Sequence, residues 1–169
     1  MNKIYDFVKK FFLLIFFIFF YSNIFSKELF CKFEEVYPTG DMQQGFFLLK
    51  EKKIRYEYLN LNLYTIFFDN KDLIIVNNKD RNLKNYEYRF HNLFKTIYQL
   101  TRDYPNNSEN MTIDGYFINL EKSKSHEFYK RISIKSDEIN LSIFLNECSF
   151  KSIHDKYFKL NPVKEYIFD

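Results

Sequence analysis

The feature that most restricts what this chain can fold into is a set of short segments in which apolar and polar residues alternate. In the clearest one, Ile54, Tyr56 and Tyr58 share one face, whereas Arg55 and Glu57 share the other. Successive side chains of a β-strand point to opposite faces of its sheet, so this period of two predicts a strand with one buried face. Further alternating or continuous apolar segments lie at 29–33, 45–50, 64–68, 73–76, 86–90, 112–120, 128–135, 139–145 and 148–153.

One segment follows the period of a helix. Apolar residues recur at spacings of three and four residues between Leu93 and Thr101, directly after Asn92. Because asparagine is a good N-terminal cap, the pattern predicts a helix over 92–102. A polar loop that contains Pro105 follows it.

About nine short strands and one helix predict a mainly β fold of the α+β class. We expect a single strongly curved antiparallel sheet, or an open half-barrel, with the short helix covering its concave face. The aromatic face of the strands is wider than one helix of this length can cover. An apolar concavity should therefore remain and favour an apolar ligand or partner, unless a second sheet or the chain termini fill it.

The N-terminal segment reads as an export signal. Lys3, Lys9 and Lys10 precede an uninterrupted apolar run over 11–21, and Ser26 offers a small residue before a cleavage site. The run is shorter than the roughly 20 apolar residues of a membrane-spanning helix. It predicts a signal peptide over 1–26 and one domain over 27–169, with an uncleaved signal anchor as the alternative.

Motifs for catalysis or for cofactor binding are missing from the sequence. His91, His126 and His154 are far apart and lack a metal-ligand spacing, and three glycines leave no room for a phosphate-binding loop. A net charge of +3 is too small for nucleic-acid binding built on charge. We therefore predict a protein that is not an enzyme, uses no cofactor or metal and binds no nucleic acid.

Two further sequence features leave alternatives open. Cys31 and Cys148 lie near the two ends of the predicted domain and are either a disulfide or two free thiols. The 22 Phe and 14 Tyr among 169 residues reflect either the codon usage of an AT-rich genome or a ligand-binding surface.

The order of motifs resembles a known family. Gly45 opens an apolar strand, Lys53-Ile54-Arg55-Tyr56-Glu57-Tyr58 follows, and a hairpin turns at Asp69-Asn70 before Leu73. Near the end, Asp155 and Pro162 frame a pattern that finishes with Asp169. These motifs are similar to those of the periplasmic outer-membrane lipoprotein carriers, the LolA-like proteins, although the family's Arg-Pro turn is missing and its N-terminal helix is not visible.

The resemblance implies a periplasmic chaperone that shields the acyl chains of lipoproteins and moves them from the inner to the outer membrane. Its partners would be lipoprotein acyl chains or another lipid, an inner-membrane release complex and an outer-membrane acceptor, and we expect a monomer. The alternative is a non-catalytic lipid-binding or interaction module of the cell envelope. The cargo, a lipoprotein, a free lipid or a pigment, stays open.

The strand faces and the helix supply the candidate site. In the LolA-like family an arginine helps to hold a helical lid closed, and Lys50 stands at one of two positions that align with it. The resemblance therefore makes Lys50 a candidate for contacts to the lid or to a headgroup, and Arg55 is a second candidate. The candidate lipid-binding residues are Phe47, Leu49, Ile54, Tyr56, Tyr58, Ile66, Phe68, Phe94 and Ile97.

Overall fold

The structure is a computed structural model that describes residues 28–69, 71–84 and 88–159. Within these residues the chain forms one ten-stranded open sheet and one α-helix. The expected signal peptide over 1–26 and the tail from 160 to 169 lie outside the described residues. The strands are β1 (Leu29–Val36), β2 (Met42–Lys50), β3 (Lys53–Tyr58), β4 (Tyr64–Phe68), β5 (Leu73–Asn77), β6 (Leu83–Lys84), β7 (Asn110–Ile113), β8 (Tyr116–Lys122), β9 (Tyr129–Lys135) and β10 (Asn140–Phe150), the helix is α1 (Tyr88–Arg102), and a 3-10 helix covers Asp155–Phe158.

The sheet consists of two antiparallel meanders that meet at its centre. Its strand order is β6-β5-β4-β3-β2-β1-β10-β9-β8-β7, so every described strand except β1 and β10 pairs only with its sequence neighbours. β1 pairs with β10, which is more than 100 residues away along the chain. A disulfide between Cys31 and Cys148 crosses this seam, so the open choice between a disulfide and free thiols is settled as a disulfide.

Short turns with special backbone angles set the register of the meanders. β7 and β8 are joined by Asp114 and Gly115, both of which have positive φ angles. Two such residues are what a type I′ hairpin turn requires. The sequence predicted a single strand over 112–120, which is wrong because this turn divides the segment.

Gly45 occupies a position in β2 that has no room for a side chain. A Cβ added there would lie 2.0 Å from the backbone oxygen of Glu57 and 2.4 Å from Cζ of Phe33. The Phe33 ring therefore lies across β2 and stacks on Tyr56, with 3.9 Å between ring centroids. This glycine is needed because of that close approach.

The strands β2 to β5 are buried on both faces. One face contributes Phe47 and Tyr56 to the main core, and Phe46 and Arg55 of the other face are also almost fully buried. Segment 151–159 lies against the second face, where Nη1 of Arg55 donates a hydrogen bond to the carbonyl oxygen of Tyr157 at 2.7 Å. The sequence predicted one buried face for strand 54–58, which is wrong because this distant segment covers the polar positions as well.

Helix α1 begins earlier than the sequence predicted, at Tyr88 rather than Asn92, and ends at Arg102 as expected. The strand expected over 86–90 is wrong for 88–90, which are helical, and its residues 86 and 87 lie outside the described part of the chain. Segments 139–145 and 148–153 were expected to be separate strands, but β10 runs without interruption from Asn140 to Phe150. Such a strand can bend at its irregular pairing with β1, between Phe30 and Lys32.

Candidate ligand-binding cavity

The structure brings the predicted apolar residues together in one cluster. Helix α1 contacts the sheet through aromatic side chains. The rings of Phe94 and Tyr56 meet edge to face with 5.9 Å between their centroids, and the ring centroids of Tyr98 and Phe68 lie 6.4 Å apart. Tyr58 is half-buried and packs against the same cluster. The predicted residues that are fully buried in it are Phe47, Leu49, Ile54, Tyr56, Ile66, Phe68, Phe94 and Ile97.

A cavity of about 300 Å³ lies between α1 and the sheet. Leu93, Phe94 and Ile97 of the helix form one wall, and Ile134 and Ile143 of the second meander form part of another. The volume is at the lower end of the range of small-ligand pockets, roughly 300–1,000 Å³. Both meanders and the helix therefore contribute to one space that is mainly apolar.

The predicted residues divide into two groups around this cavity. Five of them line it, namely Tyr56, Tyr58, Ile66, Phe94 and Ile97. The other four, Phe47, Leu49, Ile54 and Phe68, belong to the packed core and are not among its lining residues. They can support the wall of the cavity, but a ligand inside it would not touch them.

A buried carboxylate forms the polar corner of the cavity. Glu35 is only 4% exposed, and its two oxygens accept hydrogen bonds from the hydroxyl groups of Tyr56 at 2.8 Å, Tyr58 at 2.8 Å and Tyr37 at 2.7 Å. We name these four residues the carboxylate–phenol cluster: Glu35, Tyr37, Tyr56 and Tyr58. All four line the cavity. Buried polar groups need such partners, since an unsatisfied one costs about 1–3 kcal/mol.

The environment of the cluster keeps its phenols protonated. Burial, and then the charge of Glu35, raises the pKa of Tyr56 and of Tyr58 well above the ordinary value. Burial is also the largest cause of the raised pKa of Tyr37, followed by its hydrogen bond to Glu35. At neutral pH all three hydroxyl groups are therefore available as hydrogen-bond donors to the carboxylate.

The sequence reasoning missed Glu35 and Tyr37 as site residues. A signal was present, because Glu35 continues the spacing of Leu29, Cys31 and Phe33, whose side chains point into the core. A carboxylate at the next inward position of a strand indicates a buried polar site. Two of its three partners, Tyr56 and Tyr58, could not be assigned to it from the sequence, because they lie on another strand, two positions away in the sheet.

A second and more open cleft lies next to the cavity. This cleft has a volume of about 530 Å³ and shares Tyr37, Tyr58 and Ile66 with the first cavity. Tyr64 and Ile75 line its far side.

Lys50 and Arg55 lie on the other face of the sheet, away from α1. Nζ of Lys50 donates a hydrogen bond to the carbonyl oxygen of Ile153 at 2.7 Å, and it forms ion pairs with Glu28 and Asp155 at 3.5 and 3.3 Å. Arg55 forms an ion pair with Glu57 in addition to its bond to Tyr157. The structure therefore places both cations on segment 153–157, and contacts to a helical lid or a headgroup stay a prediction.

The three histidines have separate structural surroundings. His154 accepts a hydrogen bond from the backbone of Lys156 and caps the 3-10 helix. Nε2 of His91 lies 2.9 Å from the carbonyl oxygen of Lys71, and His126 contacts Ser123. Within residues 28–69, 71–84 and 88–159, no group of three or more histidine, cysteine or acidic side chains is placed to hold a metal ion.

The fold and the cavity together define a single-sheet antiparallel β protein with one described helix against a mainly apolar pocket. No model of a known protein family matches this chain, and no curated protein does. The likeness to lipoprotein carriers therefore stays a prediction from the motifs. In the part of the chain that the structure describes, no helix is long and apolar enough to cross a membrane.

Proposed function

We propose that the protein is a periplasmic carrier that shields an acyl chain in the cavity between α1 and the sheet. The observation that carries the proposal is the cavity itself, whose walls are largely Leu, Ile and Phe and which the carboxylate–phenol cluster also lines. Such a distribution suits an amphiphile, because the chain can be buried while the polar end meets hydrogen-bonding groups.

The cavity provides enough apolar burial for useful affinity without any chemistry. Transfer of an acyl chain from water stabilises the complex by about 0.8 kcal/mol per CH₂ group. Eight buried methylenes would thus contribute about 6 kcal/mol, which corresponds to a Kd of roughly 10–100 µM. The proposal accordingly assigns no catalytic role and no cofactor to this chain.

In this proposal the sheet is an open half-barrel and α1 is the lid over its concave face. The ring contacts of Phe94 and Tyr98 with the sheet support that arrangement, as does a cavity wall drawn from both meanders. The disulfide is compatible with an oxidising compartment such as the periplasm. Delivery would need an inner-membrane release complex and an outer-membrane acceptor that exchange cargo with a monomer.

The proposal is tested by expressing the full chain and analysing the purified protein for bound lipid by mass spectrometry. Displacement of a neutral fluorescent dye by a monoacylglycerol then measures binding directly. We expect copurified lipid and displacement. A protein with no bound lipid, from which the monoacylglycerol displaces no dye, would contradict the proposal.

Two matched variants locate the binding site. Ile139 and Ile113 are both half-buried against the core, but only Ile139 lines the cavity. Ile139→Trp should fill the space and weaken binding, whereas Ile113→Trp should leave binding unchanged. Because the chain contains no other Trp, each variant also reports on its own surroundings by fluorescence.

The second candidate is a non-catalytic envelope module of the same fold that interacts with a protein partner. The packing of Phe47, Leu49, Ile54 and Phe68 in a closed core favours it, since these residues leave little of the predicted surface open. This candidate predicts a melting temperature that added lipid does not change. A clear rise in melting temperature with monoacylglycerol favours the carrier.

A further inference from the structure

Among the described residues, only neutral groups donate hydrogen bonds to the buried carboxylate of Glu35. Its Oε1 accepts one bond, from Tyr56, and its Oε2 accepts two, from Tyr37 and Tyr58. A carboxylate offers about four acceptor positions, so Oε1 keeps one for a further donor. Among the described residues no lysine, arginine or histidine forms a salt bridge with Glu35.

Among the described residues that line the cavity, the buried charged side chain is Glu35, and no basic side chain is present. A buried charge is costly unless an opposite charge pairs with it. A second carboxylate brought next to Glu35 would be repelled, whereas a cation would supply the missing partner.

Aromatic rings surround the same corner of the cavity. Tyr56 and Tyr58 meet edge to face with centroids 5.4 Å apart, and Phe94 lies 5.9 Å from Tyr56. Tyrosine and phenylalanine rings attract ammonium groups through their negative faces. An ammonium group that met an open ring face there would be attracted to it in addition to the carboxylate.

We propose that the cavity selects an amphiphile whose aliphatic chain ends in a protonated amine, with the ammonium group donating a hydrogen bond to Oε1 of Glu35. This inference rests on the proposed function, because it assumes that an aliphatic chain enters the cavity. It adds the chemistry of the headgroup, and it excludes free fatty acids as preferred ligands.

The test compares three ligands of equal chain length below their micelle concentrations. Dodecylammonium, dodecanoate and monododecanoylglycerol compete with the neutral dye for the full-length protein at physiological ionic strength. We expect dodecylammonium to bind at least about tenfold more tightly than dodecanoate, the factor that one charge-assisted hydrogen bond provides. The chain as a whole carries a formal net charge of +3, so unspecific attraction would favour the anion.

The outcomes separate this inference from the proposed function. Equal or tighter binding of dodecanoate, together with binding of the neutral ligand, would overturn the headgroup preference alone. Failure of all three ligands to bind would overturn both. Glu35→Gln should reduce the preference for the amine below about threefold while the neutral ligand still binds, since only the charge-assisted part is lost.

If Glu35→Gln does not fold, a second pair of variants tests the same proposal. Leu141 lines the cavity and is half-buried, so a lysine there can reach it while its stem stays packed. Leu141→Lys should weaken the binding of dodecylammonium and strengthen the binding of dodecanoate. Leu141→Met should leave the binding of both ligands unchanged. Unchanged selectivity in folded Leu141→Lys would contradict the proposal.

The ammonium group could belong to a lipidated peptide with a free α-amino group or to an ethanolamine phospholipid. Competition with a lipidated peptide with and without N-acylation, and with vesicles that contain the ethanolamine lipid, distinguishes these sources. The source is the peptide if N-acylation abolishes its competition, and the lipid if only the vesicles compete.

Discussion

Loss of the Cys31–Cys148 disulfide should strongly destabilise the protein, because this bond crosses the seam between the two meanders. The two cysteines are 117 residues apart in sequence. In the chain-entropy description, a crosslink that closes a loop of this length stabilises the folded state by about 5 kcal/mol through its effect on the unfolded chain. Among the described strands, only β1 and β10 pair across the two meanders. We therefore expect this pairing to depend on the disulfide, which restricts the unfolded chain.

The measurement is urea unfolding of the oxidised and the reduced protein, followed by circular dichroism. With an m-value of about 2 kcal/mol/M, the reduced protein should unfold at a urea concentration about 2–3 M lower. A double variant, Cys31→Ala with Cys148→Ala, should unfold close to the reduced protein. It is also the control for the reductant, which should have no effect on it.

One result would refute this reasoning. If reduction lowers the urea midpoint by less than about 0.5 M, the crosslink does not constrain the unfolded chain as proposed, since that shift corresponds to only about 1 kcal/mol. The pairing of β1 with β10 would then be held by its backbone hydrogen bonds and core contacts alone.

The remaining predictions concern packing and charge. Gly45→Ala should lower the free energy of unfolding by about 3 kcal/mol or more, because its Cβ has no room beside the Glu57 backbone oxygen, and urea unfolding measures the loss. Arg55→Met should lower the free energy of unfolding by about 3–5 kcal/mol, because it leaves the Glu57 carboxylate buried without its partner. In a double-mutant cycle, adding Glu57→Gln should restore a large part of this lost stability. The carboxylate–phenol cluster should make stability fall as pH rises above about 10, because phenols with a raised pKa stay neutral in the folded protein and ionise more readily once it unfolds. Ultraviolet titration should show these tyrosines ionising only together with unfolding, and ionisation in the intact fold would contradict the assignment.

Much of the secondary structure could be predicted because it depends on local pattern. The period of two at 54–58 and the spacing of apolar residues after Asn92 identified β3 and most of α1. The same patterns located five cavity-lining residues, since inward-facing apolar residues are the ones available to a cavity. They failed at 88–90, where alternating residues are part of the helix.

The alternating sequence by itself determined that the described part of this chain is mainly β, with one α-helix and a predominantly apolar strand face. Only the tertiary structure decided which elements meet: β1 beside β10, segment 151–159 over Arg55, and three tyrosines around Glu35. The physical reason is that side-chain period is fixed by local backbone geometry, whereas burial of a polar face depends on contacts between residues far apart in the chain. The ligand cavity belongs to the second kind of property, since both meanders and α1 must meet to enclose it.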